Sequence, residues 1–117
     1  MALRGSGNLM VVELTPEEVH ELLRTRPDTV VLLDIREPSE RRAAAILPSI
    51  HIPMQQLGDR LADIPRDRQV IVYCHMGGRS SMVAGFLEAA GFPDVANLEG
   101  GIDGWSLRVD PDVARYG

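Results

Sequence analysis

The chain has 117 residues, with 12 basic and 17 acidic side chains, a formal net charge of -5, one cysteine and no lysine. Without lysine there is no Schiff-base enzyme and no phosphate-loop nucleotidase of the usual kind, and one cysteine excludes an internal disulfide or a cysteine-rich zinc site. The acidic balance argues against nucleic acid as a partner, and the length predicts a single domain over residues 1–117.

The N-terminal segment has no sustained apolar stretch, so it does not resemble a signal peptide, and residues 1–8 are expected to be flexible. No later stretch approaches the ~20 apolar residues of a membrane span. The three histidines lack the spacing of metal ligands, so neither a metal nor a cofactor is expected. These features predict a cytoplasmic protein without a membrane partner.

The first predicted elements are a strand over residues 10–14 and a helix that follows it directly. Thr15 can cap this helix, Pro16 suits its first position, and Glu18 completes a capping box. We therefore interpret the acidic pair at residues 17–18 as part of a helix start rather than as a catalytic pair.

Two continuous apolar runs, residues 30–33 and 70–73, predict strands that are covered on both faces, and residues 49–52 and 95–98 are shorter candidates. Apolar residues at helical spacing over 82–90 predict a helix that stops at Gly91. The alternation of strands with helices predicts an α/β fold, a parallel β-sheet flanked by helices on both faces.

Polar residues follow the two long predicted strands at their carboxyl ends, where open parallel sheets bind ligands. Asp34 and Arg36 follow the first run, and Cys74 and Arg79 follow the second. Because parallel strands end at the same edge of a sheet, we expect these four side chains to share one neighbourhood.

The segment after the second run, residues 74–80 (the cysteine loop), carries the strongest chemical signal. Its glycines, Gly77 and Gly78, allow successive N–H groups to point inward as an anion nest, and a helix is expected to begin near Ser80 or Ser81. Such a place favours the thiolate of Cys74, and Arg79 can hold an oxyanion of sulfur, phosphorus or arsenic through two hydrogen bonds. A lone cysteine after an apolar strand can also be a buried structural residue.

Four segments of the chain, in this order and spacing, resemble the rhodanese domain, the fold of thiosulfate and related sulfurtransferases, from about residue 9 to residue 105. They are LLDIREPSE (32–40), IHIP (50–53), CHMGGRS (74–80) and NLEGGIDGW (97–105).

The resemblance implies that Cys74 carries sulfur as a persulfide, taken from a small anionic donor such as thiosulfate and passed to a thiophilic acceptor. The substrate-binding residues would be the rest of the cysteine loop: His75, Met76, Gly77, Gly78, Arg79 and Ser80. Asp34, Arg36 and Glu40 would support the site, either as a structural ion-pair network or in direct contact with substrate. Gly100 and Gly101 would form a tight turn, and Trp105 would fill the core.

Two departures from the family pattern stand near the site. The family usually has Gly-His-Ile-x-Gly-Ala where this chain has residues 44–49, and it often has arginine or lysine at the position of His75.

The tail, residues 105–116 (WSLRVDPDVARY), resembles the ending of rhodanese domains fused behind enzymes that adenylate sulfur-carrier proteins. This resemblance implies a sulfur-carrier protein or another thiol acceptor as the partner. Alternatively, residues 109–111 are simply a turn that ends the domain.

Two other functions use the same features. Cysteine-dependent phosphatases and arsenate reductases also carry a cysteine–arginine loop, but usually with five residues between the two, whereas here there are four. A non-catalytic rhodanese module that only binds a partner is the other alternative, although such modules usually lose the cysteine that this chain keeps.

Overall fold

The computed structural model describes residues 11–117, which form one five-stranded sheet whose strands are all parallel. The strands follow the order β1-β5-β4-β2-β3 across the sheet. Their bounds are β1 Val12–Leu14, β2 Val30–Asp34, β3 Ile50–His51, β4 Gln69–Tyr73 and β5 Val95–Leu98. The predicted strand over residues 10–14 is confirmed in its described part, whereas residue 10 and the predicted flexible segment 1–8 lie outside the described residues.

Within residues 11–117, four α-helices and three short 3-10 helices accompany the strands. The α-helices are α1 Pro16–Thr25, α2 Pro38–Ala43, α3 Gly78–Ala89 and α4 Gly101–Arg108. The 3-10 helices are Pro27–Thr29, Met54–Asp59 and Leu61–Asp63. Among residues 11–117, no helix combines the length and the apolar character needed to cross a membrane.

The core has two parts, one on each face of the sheet. On one face, Val83 and Leu87 of α3 pack with Leu57 of a 3-10 helix against the strands. On the other face, Val19 of α1 and Trp105 of α4 belong to the second buried cluster. The predicted α/β fold with helices on both faces is therefore confirmed, and Trp105 lies in the core as expected.

Helix α1 begins as its sequence predicts. The Thr15 hydroxyl accepts a hydrogen bond from the Glu18 N–H at 3.1 Å, and the Glu18 carboxylate accepts one from the Thr15 N–H at 2.8 Å. These two reciprocal hydrogen bonds between Thr15 and Glu18 form a capping box.

Helix α3 begins earlier than expected. Gly77 is its N-cap with a φ of 109°, and Gly78 is already its first residue, so the predicted start near Ser80 or Ser81 is wrong. A glycine at positive φ turns the chain directly into the helix, and no separate linker is needed. As a result, Arg79 and Ser80 lie in the first helical turn.

Candidate active site

The two long strands bring their carboxyl ends together at the centre of the sheet. Strands β2 and β4 are neighbours, and Asp34 at the end of β2 pairs in register with Tyr73 at the end of β4. Cys74 follows Tyr73 directly. The expected neighbourhood of acidic and basic residues with the cysteine therefore forms at this edge.

The Cys74 thiol is buried, with 1% of the residue exposed, and its sulfur faces two backbone N–H donors and the hydroxyl of Ser80. The Gly77 N–H lies 3.1 Å from Sγ, the Ser80 N–H 3.4 Å and the Ser80 hydroxyl 3.3 Å. The two N–H groups belong to the N-cap and first turn of α3, whose positive dipole end they form. Donors aimed at a sulfur atom stabilise its anionic form more than its neutral form.

A second helix holds the cysteine loop by its carbonyl groups. The N–H of Ile102 donates to the Cys74 carbonyl at 2.9 Å, and the N–H of Asp103 donates to the His75 carbonyl at 3.0 Å. Gly101, at a φ of +61°, comes so close that a Cβ atom there would lie 2.6 Å from the Cys74 carbonyl oxygen. The glycine pair was expected only to form a turn. In the structure, Gly101 also allows α4 to approach the backbone of the cysteine.

Arg79 is engaged by a carboxylate of the protein itself. Its two terminal nitrogens donate to Glu40 at 2.9 and 2.8 Å. These hydrogen bonds from Arg79 lower the pKa of Glu40 from 4.5 to about 2. Glu40 in turn raises the pKa of Arg79. The sequence suggested that Arg79 would face an anion, and here that anion is Glu40.

Asp34 and Arg36 form a second ion pair, which is fully buried. The Arg36 Nε donates to Asp34 at 2.9 Å and Nη2 donates at 2.8 Å. Burial opposes the ionisation of Asp34, but the hydrogen bonds from Arg36 outweigh it and hold the pKa of Asp34 below its ordinary value. Arg41 and Tyr73 also donate to this carboxylate, each at 3.1 Å. With the Arg36 backbone N–H, which donates at 3.0 Å, five donors surround this one buried carboxylate.

The segment that departs from the family pattern contacts this buried pair. The Ala44 carbonyl accepts a hydrogen bond from Arg36 at 2.6 Å, and the Ile46 N–H donates to the Tyr73 hydroxyl at 3.1 Å. Backbone groups of residues 44–49 thus supply contacts near the site that need no particular side chain.

A polar chain that the sequence analysis did not identify reaches the sulfur from the edge strand. The Ser80 hydroxyl lies 2.5 Å from the Asn97 side-chain oxygen, and the Asn97 Nδ2 donates to Glu13 at 2.9 Å. A carboxylate can only accept hydrogen bonds, so Glu13 must face the Asn97 Nδ2 rather than the amide oxygen. This contact fixes the orientation of the Asn97 amide. Asn97 was singled out only as part of a family motif, and Glu13 as part of a predicted strand; the register of β1 beside β5 brings them together.

Tyr116 is a further residue at the site that the sequence analysis quoted only within the tail motif. Its hydroxyl lies 2.7 Å from Arg36 Nη1 and 3.1 Å from Glu40 Oε1. Its ring stacks on His75, with centroids 4.2 Å apart and planes 17° from parallel. The tail therefore reaches the cysteine loop, a contact between distant segments that no local pattern reveals.

The remaining loop residues form the outer surface of the site. Met76 is 63% exposed, and Gly78 is exposed beside it. Within residues 11–117, no group of three or more histidine, cysteine, aspartate and glutamate side chains could hold a metal ion.

Comparisons with known proteins agree with this architecture. The Rhodanese-like domain family model matches residues 15–108. A curated protein named "Sulfurtransferase" from Allochromatium vinosum is 37% identical over 108 residues, which are 92% of this chain and 100% of that protein. "Probable adenylyltransferase/sulfurtransferase MoeZ" of Mycobacterium tuberculosis is 33% identical over 105 residues, 88% of this chain but 26% of that protein. A solved rhodanese-related protein from Thermoplasma volcanium has a TM-score of 0.78 at 28% identity and covers 90% of this chain and 99% of that chain.

Proposed function

Since this chain belongs to the rhodanese-like domain family and is a rhodanese-type sulfurtransferase, we propose that it transfers sulfane sulfur through a persulfide on Cys74. The observation that carries the proposal is the pair of N–H donors that face the Cys74 sulfur, Gly77 at 3.1 Å and Ser80 at 3.4 Å. They favour the thiolate that attacks the donor, and other N–H groups of the cysteine loop together with Arg79 would stabilise the negative terminal sulfur of the persulfide.

The reaction consists of two displacements at sulfur. With thiosulfate as donor, the Cys74 thiolate attacks the outer sulfur, the S–S bond of thiosulfate breaks, and sulfite leaves with the bonding electron pair. The product is a Cys74 persulfide. An acceptor nucleophile then attacks the terminal sulfur, and the Cys74 thiolate leaves, so the enzyme returns to its starting state.

Arg79 supplies the positive charge for the anionic donor. Its side chain is 33% exposed and held by Glu40, which is 19% exposed, so the pair stands at the boundary with solvent. A donor oxyanion reaches the guanidinium by sharing it with Glu40. The backbone N–H groups of the cysteine loop, residues 74–80, complete the binding site for the donor.

The three supporting residues do not all act in the same way, and we propose that none of them contacts the substrate. They are Asp34, Arg36 and Glu40. Asp34 and Arg36 are 0% exposed, so we assign them a bracing role, whereas Glu40 acts on Arg79 directly. Of the two interpretations of the cluster, we therefore propose the structural ion-pair network for its buried members.

The acceptor lies outside these 117 residues, because the chain has a single cysteine and no second thiol to resolve the persulfide. A sulfur-carrier protein or another thiol acceptor fits this requirement, and the partial match with MoeZ supports it. The cytoplasm, where thiols stay reduced, is the setting that we propose.

The test is to incubate the protein with thiosulfate and to follow its intact mass. Wild type should gain the mass of one sulfur atom, lose it on addition of cyanide, and release thiocyanate. Cys74→Ser should gain nothing, and Arg108→Ala, a change in an exposed ion pair away from the site, should behave as wild type. Wild type without the adduct, or an adduct on Cys74→Ser, contradicts the proposal. Hydrolysis of p-nitrophenyl phosphate would favour the phosphatase alternative, and binding of a partner without sulfur transfer would favour the non-catalytic module.

A further inference from the structure

Through one side chain, Tyr116, the tail contacts the cysteine loop directly at His75 and indirectly at Arg79 through Glu40. The Tyr116 ring stacks on His75, the residue after the cysteine. The Tyr116 hydroxyl contacts Glu40, which holds Arg79 at the other side of the loop. One residue outside the loop thus restrains both of its flanks.

The direction of the hydrogen bonds at Tyr116 is fixed by its neighbours. Arg36 has no acceptor atom, so its Nη1 donates to the Tyr116 oxygen at 2.7 Å. Asp34 immobilises Arg36 through two further bonds, so this donor does not move away. Burial raises the pKa of Tyr116, which keeps the phenol neutral with one proton. That proton is left for Glu40, 3.1 Å away.

The donated proton changes how tightly Glu40 holds Arg79. Glu40 Oε1 receives Arg79 Nη2 at 2.8 Å and the Tyr116 hydroxyl at 3.1 Å. Its other oxygen, Oε2, receives Arg79 Nη1 at 2.9 Å and the Glu37 N–H at 3.0 Å. A carboxylate oxygen that accepts a second donor has less negative charge to offer to the first. Arg79 is therefore held in place yet remains free to share its charge with another anion.

The ring contact acts on a different part of the loop. His75 lies between the cysteine and the exposed Met76, and its carbonyl is held from below by α4. The Tyr116 ring is stacked on the imidazole of the same residue. The segment before Tyr116 is itself fixed, because Arg115 donates to Asp103 of α4 at 2.8 Å.

We propose that Tyr116 is a positioning residue for the anion-binding part of the site, acting through Glu40 on Arg79 and through the ring stack on His75. The inference rests on the proposed function, because it concerns the same anion site, but its measurement needs no turnover. It also assigns a task to the tail motif, which the sulfur-transfer chemistry alone does not use.

The experiment uses the full chain and its single cysteine. Alkylation of Cys74 by iodoacetamide is followed by intact mass at increasing concentrations of sodium sulfate, against sodium chloride at equal ionic strength. Sulfate does not transfer sulfur, so its protection of Cys74 reports anion binding alone. Tyr116→Phe keeps the ring stack and loses the hydroxyl, whereas Tyr116→Leu loses both.

Wild-type Cys74 should be protected by sulfate. In Tyr116→Phe we expect the sulfate concentration for half-protection to rise roughly 2- to 10-fold, the loss of one hydrogen bond, with the alkylation rate in chloride unchanged. Tyr116→Leu should show the same weakening and, in addition, an altered alkylation rate in chloride, since His75 is no longer covered. Arg108→Ala should match wild type in both readouts.

Two results overturn the inference: no sulfate protection in wild type, or equal protection of wild type and Tyr116→Phe. A merely structural role of Tyr116 would lower the melting temperature of Tyr116→Phe and leave its half-protection concentration unchanged. The persulfide test on wild type is independent of these outcomes. If the thiosulfate adduct forms but Tyr116→Phe is protected normally, only the positioning role fails; if no adduct forms but the protection differs as expected, only the proposed reaction fails.

Discussion

Gly101 and Cys74 are packed backbone against backbone: a Cβ atom on Gly101 would lie 2.6 Å from the Cys74 carbonyl oxygen, while the next N–H along, that of Ile102, donates to the same oxygen at 2.9 Å. The backbone of Cys74 is therefore held by a helix whose first residue has no side chain. Because of this contact, Gly101 tolerates a side chain less well than its neighbour Gly100, although the two look equivalent in the sequence.

Alanine at Gly101 should cost more stability than alanine at Gly100. Both residues have positive φ, which costs an alanine about 1–2 kcal/mol. At Gly100 the new Cβ meets its nearest atom at an ordinary 3.5 Å, whereas at Gly101 it meets the cysteine-loop backbone, which adds about 1–3 kcal/mol. Urea unfolding of Gly101→Ala and Gly100→Ala measures the difference. Equal losses would show that the loop moves aside at little cost.

Ser80→Ala should destabilise the protein and leave the alkylation rate of Cys74 unchanged. The hydroxyl has one proton, which goes to the Asn97 oxygen at 2.5 Å, so the change leaves the two N–H donors to the sulfur in place. It deprives the buried Asn97 oxygen of its partner, which should lower the free energy of unfolding by about 1–3 kcal/mol. Urea unfolding and the alkylation rate are compared with those of Ser81→Ala, the next residue of the same helical turn. An alkylation rate in Ser80→Ala well below that of Ser81→Ala would show that the hydroxyl donates to the sulfur instead.

The buried ion pair should be far more sensitive to substitution than an exposed one. Asp34→Asn keeps the shape of the side chain but leaves the buried Arg36 without its counter-charge, which should cost about 3–5 kcal/mol of unfolding free energy. Glu17→Gln removes the charge from the pair with Arg108, whose side chains are 55% and 46% exposed, and should cost far less because solvent screens an exposed pair. Chemical unfolding at pH 7 compares the two variants. Similar losses would mean that Arg36 finds another partner or that water enters the site.

Glu40 should make the stability of the protein depend on acid pH. Its pKa is about 2 in the folded state against an ordinary 4.5, so its contribution is complete above pH 4.5 and is lost as the pH falls towards 2. The stability advantage of wild type over Glu40→Gln should therefore shrink across this window. Met82→Ala, at an exposed position of α3 without a titratable side chain, serves as the control and should show no such trend. A difference between wild type and Glu40→Gln that stays constant from pH 5 to pH 2.5 would contradict the assigned pairing.

Local patterns were sufficient to predict most of the fold. The apolar runs at residues 30–33 and 70–73 are strands, and the Thr15 to Glu18 segment forms its capping box, because these features depend on neighbours in the chain. The start of α3 was misplaced because helix propensity does not reveal a cap made by a glycine at positive φ. The order of the strands also had to come from the structure, since hydrophobic periodicity carries no information on which strands are neighbours.

The site was predictable to the extent that its residues follow strand ends. Cys74, Asp34 and Arg36 come together as expected, because β2 and β4 are parallel and adjacent. The residues that contact the site from other parts of the fold were not predicted from the sequence. Tyr116 and Glu13 reach it from the two ends of the described chain, and such contacts depend on the packing of whole elements. The partner of Arg79 was likewise not assigned, since its distance from Glu40 depends on how α2 and α3 face each other.

The position of β4 in the middle of the sheet determines how often the backbone before Cys74 should open to solvent. Strands β5 and β2 flank it on both sides, so its amide hydrogens should be among the slowest to exchange with solvent. Cys74 follows the last residue of this strand, and fraying of the short edge strands β1 and β3 does not displace it. Cys74 is thus attached to the strand that should open least often, and the exposed Met76 lies two residues further along the chain.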